Sequence, residues 1–203
     1  MQQTGLKIVV VFTTLMFVGC IGSESETNPG LSPFNGHEWT GANPAPLFTL
    51  ESMNGSLWSL EEERGNTVVL AFTYTRCYST CPVISHSLSA AYSKLTFDEK
   101  ENITFVSVTI DPWHDSPTVL QEWTQTNNFN WTHLTGSTEA VVSVLNEFGV
   151  APIGFEDNSE EGYGFNHTQP TYIIDRYGNV RVLWDKPDLM IEFFLEDLRL
   201  VAE

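Results

Sequence analysis

Two cysteines four residues apart, Cys77 and Cys81, are the side chains of this sequence best placed to do chemistry. They end the stretch V-V-L-A-F-T-Y-T-R-C-Y-S-T-C-P, residues 68–82, in which an apolar run turns polar and meets a proline. A short run rich in Val, Phe and Tyr reads as a buried strand, and Pro82 suits the first turn of a helix. The thiols then lie at a strand–helix junction, over backbone N–H groups and the positive end of a helix dipole. That setting is expected to lower a thiol's pKa and favour the thiolate.

Three chemistries are open to such a pair. It could be structural, although the loop closed by so short a disulfide constrains an unfolded chain little. It could exchange disulfides, with Cys77 attacking and Cys81 resolving. It could also hold a metal, since residues four apart rise only about 6 Å along a helix and share one face. Two thiolates are soft ligands that favour Cu(I), with zinc as the usual competitor.

A metal would need a further donor, and the chain has five histidines. His37 lies in a non-periodic stretch, His86 follows the cysteines on their helix, His114 sits between prolines, and His133 begins a short strand. His167 is different: it ends a long acidic loop, residues 151–166, and stands three residues before Pro170 and the strand T-Y-I-I-D. Loops of that length in compact domains are functional or mobile. In thioredoxin-type folds the loop entering this strand faces the cysteine helix.

The elements that must position these residues follow from periodicity and punctuation. L-F-T-L-E-S-M-N-G-S-L-W-S-L alternates about Asn54-Gly55 and predicts a hairpin. Val83, Leu88, Ala91, Tyr92 and Leu95 recur at helical spacing after Pro82. Residues 103–110 read as a second buried strand, ending in D-P-W-H-D-S-P, where Ser116 caps and Pro117 opens another helix. In that loop Asp111 and Asp115 read as caps and braces. Residues 132–134 form a short strand, and Ser137 caps a helix that Gly149 stops. T-Y-I-I-D and V-R-V-L-W pair across Tyr177-Gly178-Asn179, and residues 187–201 close the chain as an amphipathic helix. Strands alternating with helices predict an α/β, thioredoxin-like three-layer fold with an N-terminal β-hairpin extension.

Ahead of this domain, residues 46–203, the chain carries an address. Lys7 precedes an apolar run, residues 8–21, shorter than the roughly 20 residues a spanning helix needs. With F-V-G-C at 17–20 it resembles a lipoprotein signal peptide, residues 1–20, lipidated at Cys20. An ordinary cleaved signal or a short N-terminal anchor would equally place the domain on the extracytoplasmic face of the membrane. Residues 21–45, rich in Gly, Pro, Asn and Ser, read as a flexible tether reaching roughly 25 Å. Trp39 within it is expected to pack on its own domain. Hydrophobic content of 41% supports a full core. The 26 acidic residues against 9 basic give −17, which excludes nucleic acid as a partner.

T-Y-T-R-C-Y-S-T-C-P, V-T-I-D-P-W-H-D-S-P, L-T-G-S and H-T-Q-P-T-Y-I-I-D-R-Y-G together resemble, in order and spacing, the Sco/SenC family of copper chaperones. The resemblance runs from about Pro46 to the end of the chain. It implies a monomeric domain that binds one copper ion through Cys77, Cys81 and His167. The implied role is delivering copper to the copper-A subunit of cytochrome c oxidase or another copper protein, or reducing the cysteines of that site. Tyr78 stands where relatives often have proline. The alternative remains a thioredoxin-like thiol–disulfide oxidoreductase for exported proteins, using Cys77 and Cys81 as a redox pair without a metal.

Overall fold

The computed structural model describes residues 32–41, 43–77, 80–150, 170–186 and 189–203. The leader with Cys20, residues 21–31 of the tether and the acidic loop with His167 lie outside the described residues. The fold is organised about β4 (Thr67–Thr73), in which all seven residues are buried. It is a central strand, paired in parallel with β5 (Ile103–Thr109) and antiparallel with β7 (Thr171–Ile174). Outward from these the eight-stranded sheet runs β1-β8-β7-β4-β5-β6-β2-β3. The remaining strands are β1 (His37–Glu38), β2 (Thr49–Ser52), β3 (Leu57–Ser59), β6 (Thr132–Thr135) and β8 (Val180–Trp184).

Alternation along β4 separates two cores, because successive side chains point to opposite faces. Val68, Leu70 and Phe72 join Val141, Val144 and Leu145 of α4 (Thr138–Glu147). Val69 and Ala71 join α1 (Thr80–Ser93) and α5 (Ile191–Ala202), through Ile84 and Leu88 on one helix and Phe194 and Leu198 on the other. Helices thus cover both faces, which gives the expected three-layer α/β architecture of the thioredoxin type. The helix α3 (Pro117–Asn127) begins as its sequence dictates, with Ser116 accepting the Val119 N–H and Pro117 in the first turn.

Several local readings shift. On α1 the buried stripe is Ile84, Leu88 and Ala91, continued by Leu95 just past the helix end, while Val83 is 43% exposed. Starting the stripe one residue later turns Val83 outward beside Cys81. The hairpin is closed by three residues, 53–55, between Ser52 and Ser56, with Gly55 at φ +84°. The Asn54 side chain accepts from Ser56 N–H and both flanking serine hydroxyls. A helix that periodicity does not reveal, α2 (Phe97–Asn102), rests on a reciprocal capping box between Thr96 and Glu99.

Within the stretch assigned to the tether, residues 35–39 are fastened to the domain. His37 and Glu38 pair with Leu183 and Val182, and Trp39 stacks on Tyr172, as expected of a linker aromatic. Tyr172 also ties the sheet to α4, its hydroxyl donating to the Phe148 carbonyl at 2.5 Å. Tyr172→Phe would strand that acceptor beneath the sheet. A loss of about 1 kcal/mol in urea unfolding is expected, with no change in the m-value.

Candidate metal centre

The C-terminal end of β4 delivers the chain to the site. Thr73 closes the ladder, its carbonyl accepting the Ile110 N–H at 2.9 Å, and the backbone then turns through Tyr74, Thr75 and Arg76 to Cys77. Helix α1 has begun by Thr80, so Cys81 lies inside its first turn. Pro82 is tolerated there because a first-turn N–H has no intrahelical partner to lose. The Cys81 N–H donates to the Cys77 sulfur at 3.2 Å. Cys77 thus does with sulfur what an N-cap side chain ordinarily does with oxygen. Among the described residues neither cysteine is in a disulfide; Cys77 is 6% exposed and Cys81 fully buried.

Burial reverses the expected electrostatics at Cys81. Loss of solvent drives its thiol well above the ordinary cysteine range, and the adjacent Cys77 sulfur adds to the rise. The Tyr74 N–H and the Thr73 hydroxyl, which has no nitrogen or oxygen partner among the described residues, work against it without prevailing. The helix-dipole expectation of an easily formed thiolate therefore does not hold for this residue. A buried anion costs more than one turn of aligned peptides returns. Cys81 keeps its proton until something displaces it, and a soft cation bound by both sulfurs would do so.

His167 lies outside the described residues, but the strand that follows it is well placed. Thr171 stands opposite Ala71, so the start of β7 adjoins the end of β4, the same end that carries the cysteines. Thr171 is four positions after His167 in the sequence, and four residue steps span at most roughly 14 Å. Among the described residues no three His, Cys, Asp or Glu side chains gather as a metal site. The other histidines are occupied elsewhere. His37 is in β1, His86 packs edge-on against Phe129, His114 is held by the Asp111 carboxylate, and His133 is buried among aromatic rings.

Two neighbours of the cysteines were not legible as such. The Thr75 N–H and hydroxyl both donate to Asp115, which reaches across from the loop between β5 and α3. Reading Asp115 as a brace within its own loop captured half of this. The weak signal for the rest was a buried-type threonine immediately before the cysteine turn.

The SCO1/SenC family model matches residues 39–203, which takes in both cysteines, strands β2 to β8 and the segment carrying His167. The chain belongs to the SCO1/SenC family. It is similar to an SCO2-like protein of Rickettsia prowazekii, 27% identical over 184 residues covering 88% of each chain. Among solved structures it resembles apo Sco1 from Thermus thermophilus, with a TM-score of 0.72 and 27% identity over 84% of this chain and 98% of that one. Copper-bound ScoI of Bradyrhizobium japonicum shares the fold, with a TM-score of 0.66 and 19% identity over 78% of this chain and 99% of that one. The donors of this SCO1/SenC chain suit a soft ion: two sulfurs shielded from water, one in the turn ahead of α1 and one in its first turn.

Proposed function

We propose that this SCO1/SenC chain carries one copper ion between Cys77, Cys81 and His167. It would pass that ion to the copper-A site of cytochrome c oxidase, or reduce the cysteines of that site, from the extracytoplasmic face of the membrane. The observation that carries the reading is the Cys77–Cys81 pair itself, two buried sulfurs joined at the start of α1 by the Cys81 N–H. A B. japonicum relative of the same fold holds copper. An N-terminal anchor, by lipid at Cys20 or otherwise, would raise the domain's local concentration near a membrane-bound recipient. Transfer asks little of acid–base chemistry: a recipient thiolate replaces one sulfur at a time, and each released sulfur takes back a proton.

Anaerobic titration of the reduced protein with Cu(I), against a coloured chelator, tests this. One equivalent is expected in the wild type, with an affinity loss on the order of hundredfold or more in Cys77→Ser, Cys81→Ser and His167→Ala. Tight binding that survives His167→Ala combined with Cys81→Ser would remove the copper reading. The oxidoreductase reading is favoured by the same reduced, adjacent sulfurs. It requires turnover of a disulfide substrate that does not depend on His167.

Copper affinity should fall with acidity, because Cys81 binds the ion only as the thiolate. Its raised pKa keeps it protonated across the working range, so each proton displaced weakens binding about tenfold per unit drop in pH. Chelator competition at pH 6, 7 and 8 measures the slope, and a flat profile would show that Cys81 stays protonated when copper binds.

A further inference from the structure

We propose that Asp115 is the positioning residue of the cysteine loop: its carboxylate holds Thr75, and through Thr75 sets the placement of the Cys77 and Cys81 sulfurs. The inference rests on the copper reading only for what those sulfurs hold. Asp115 is fully buried. One oxygen accepts the Thr75 hydroxyl at 2.5 Å; the other accepts the Thr75 N–H at 3.1 Å and the Thr109 hydroxyl at 2.6 Å. Each partner acts as a donor. The Thr109 hydroxyl already accepts the Asp111 N–H at 3.0 Å, so its single hydrogen is left for Asp115. A carboxylate, which only accepts, satisfies all three.

Both sides of the clamp are themselves fixed. Asp115 donates its own N–H to the Asp111 carbonyl at 2.9 Å, and the next residue, Ser116, caps α3. Thr109 ends β5, paired directly with Thr73 at the end of β4. The turn that Thr75 begins is weakly closed by its own backbone, since the Cys77 N–H reaches the Tyr74 carbonyl only at 3.4 Å. Asp115 adds a fixed hold on this loop, joining the β5–α3 connection to the residue two before the first cysteine. Packing alone would not call for a buried carboxylate, whose desolvation is costly unless its hydrogen bonds are made.

The consequences of substitution separate positioning from bulk stability. Asn at 115 keeps an acceptor for the Thr75 N–H and the Thr109 hydroxyl, and its amide hydrogens meet a Thr75 hydroxyl that can rotate to accept. Ala removes all three bonds. In the reduced, metal-free full chain, iodoacetamide should alkylate Cys81 on the order of tenfold faster in Asp115→Ala than in wild type, because the loop opens locally. In the copper-loaded protein the thiolate-to-copper charge-transfer band should shift and broaden. Asp115→Asn should match wild type in both readouts. Val201→Ala, in the other core beneath α5, should lower the melting temperature and change neither. Should Asp115→Ala fail to fold, Thr75→Val removes one bond of the clamp and should move both readouts the same way by less. Wild-type behaviour of Asp115→Ala or Thr75→Val, equal effects of Val201→Ala, or an Asn variant as impaired as Ala would each overturn the proposal. The alkylation arm needs no metal, so a wild type that bound no copper would defeat the functional reading while leaving this one to be decided on its own.

Discussion

Between pH 7 and pH 4 the wild-type chain should lose about 3 kcal/mol of stability that a His133→Phe variant retains. His133 is 1% exposed, and among the described residues neither ring nitrogen has a hydrogen-bond partner. Trp123, Trp131 and Phe129 surround it, with ring centroids at 5.1, 5.5 and 6.2 Å. Burial alone pulls its pKa down to about 3, against 6.5 in an unfolded chain. Between those values the unfolded state binds a proton that the folded state refuses. The contribution is therefore intact above about pH 6.5 and is lost progressively as pH falls toward 3. Each pH unit inside the window is worth about 1.4 kcal/mol. Asp115 tilts the other way, because burial raises its pKa, so the wild-type curve alone would be ambiguous. The difference between the two variants isolates His133. Phenylalanine fits the aromatic surroundings and removes two unsatisfied nitrogens, so it should also stabilise by about 1 kcal/mol at pH 7. Urea unfolding at pH 7, 5.5 and 4 measures both effects; parallel curves would mean that His133 finds a proton partner in solution.

The second large effect concerns the strap ahead of β1. The Asp197 carboxylate, 1% exposed on α5, accepts the N–H groups of Asn35 and Gly36, both at 2.8 Å. It also accepts the Asn35 side-chain amide and the Trp184 indole N–H, both at 3.1 Å. Asp197→Ala should cost about 3 kcal/mol, since several donors bound to a charged acceptor lose it together. Asp197→Asn should be nearly as damaging. Three of the four partners, the two backbone N–H groups and the indole, are fixed donors, and only the Asn35 amide can flip to present its oxygen, so the new NH2 must face at least one donor that cannot accept. This is the opposite of the expectation at Asp115, where hydroxyl partners can rotate. Gly36→Ala should loosen the same strap, because a β-carbon there would sit 2.6 Å from the Trp184 indole nitrogen and 2.7 Å from a Val182 methyl. Urea midpoints give the energies, and limited proteolysis around residues 32–39 reports release of the strap. An Asn variant as stable as wild type would contradict the account.

Elements whose signals are local were legible, and those fixed from a distance were not. Ser116-Pro117 and Ser137 with Gly149 mark helix ends through bonds to residues at most four away, so the sequence carries the instruction whole. The same holds for β4, whose unbroken apolar run can only be buried on both faces. The helix α2 was missed although its capping box, T-F-D-E at residues 96–99, was present, because six residues show no periodicity. Asp197 reads as part of a polar helix face. Only the arrival of residues 35 and 36, some 160 positions earlier in the chain, makes it buried. His133 likewise reads as an ordinary strand residue until Trp123 and Trp131 close over it.

By itself the sequence determined the family and the side chains on offer for chemistry: two cysteines four residues apart at a strand–helix junction, a distant histidine ahead of a strand, and the SCO1/SenC pattern around them. These are matters of residue type and spacing, which the chain cannot conceal. The tertiary structure decided the state in which that chemistry is held. Both cysteines are buried, and Cys81 is held as the thiol rather than poised as a thiolate, because dehydrating a charge outweighs one turn of helix dipole. The loop that carries them is braced by a carboxylate 40 residues away, because β5 and β4 lie side by side and bring Asp115 to Thr75.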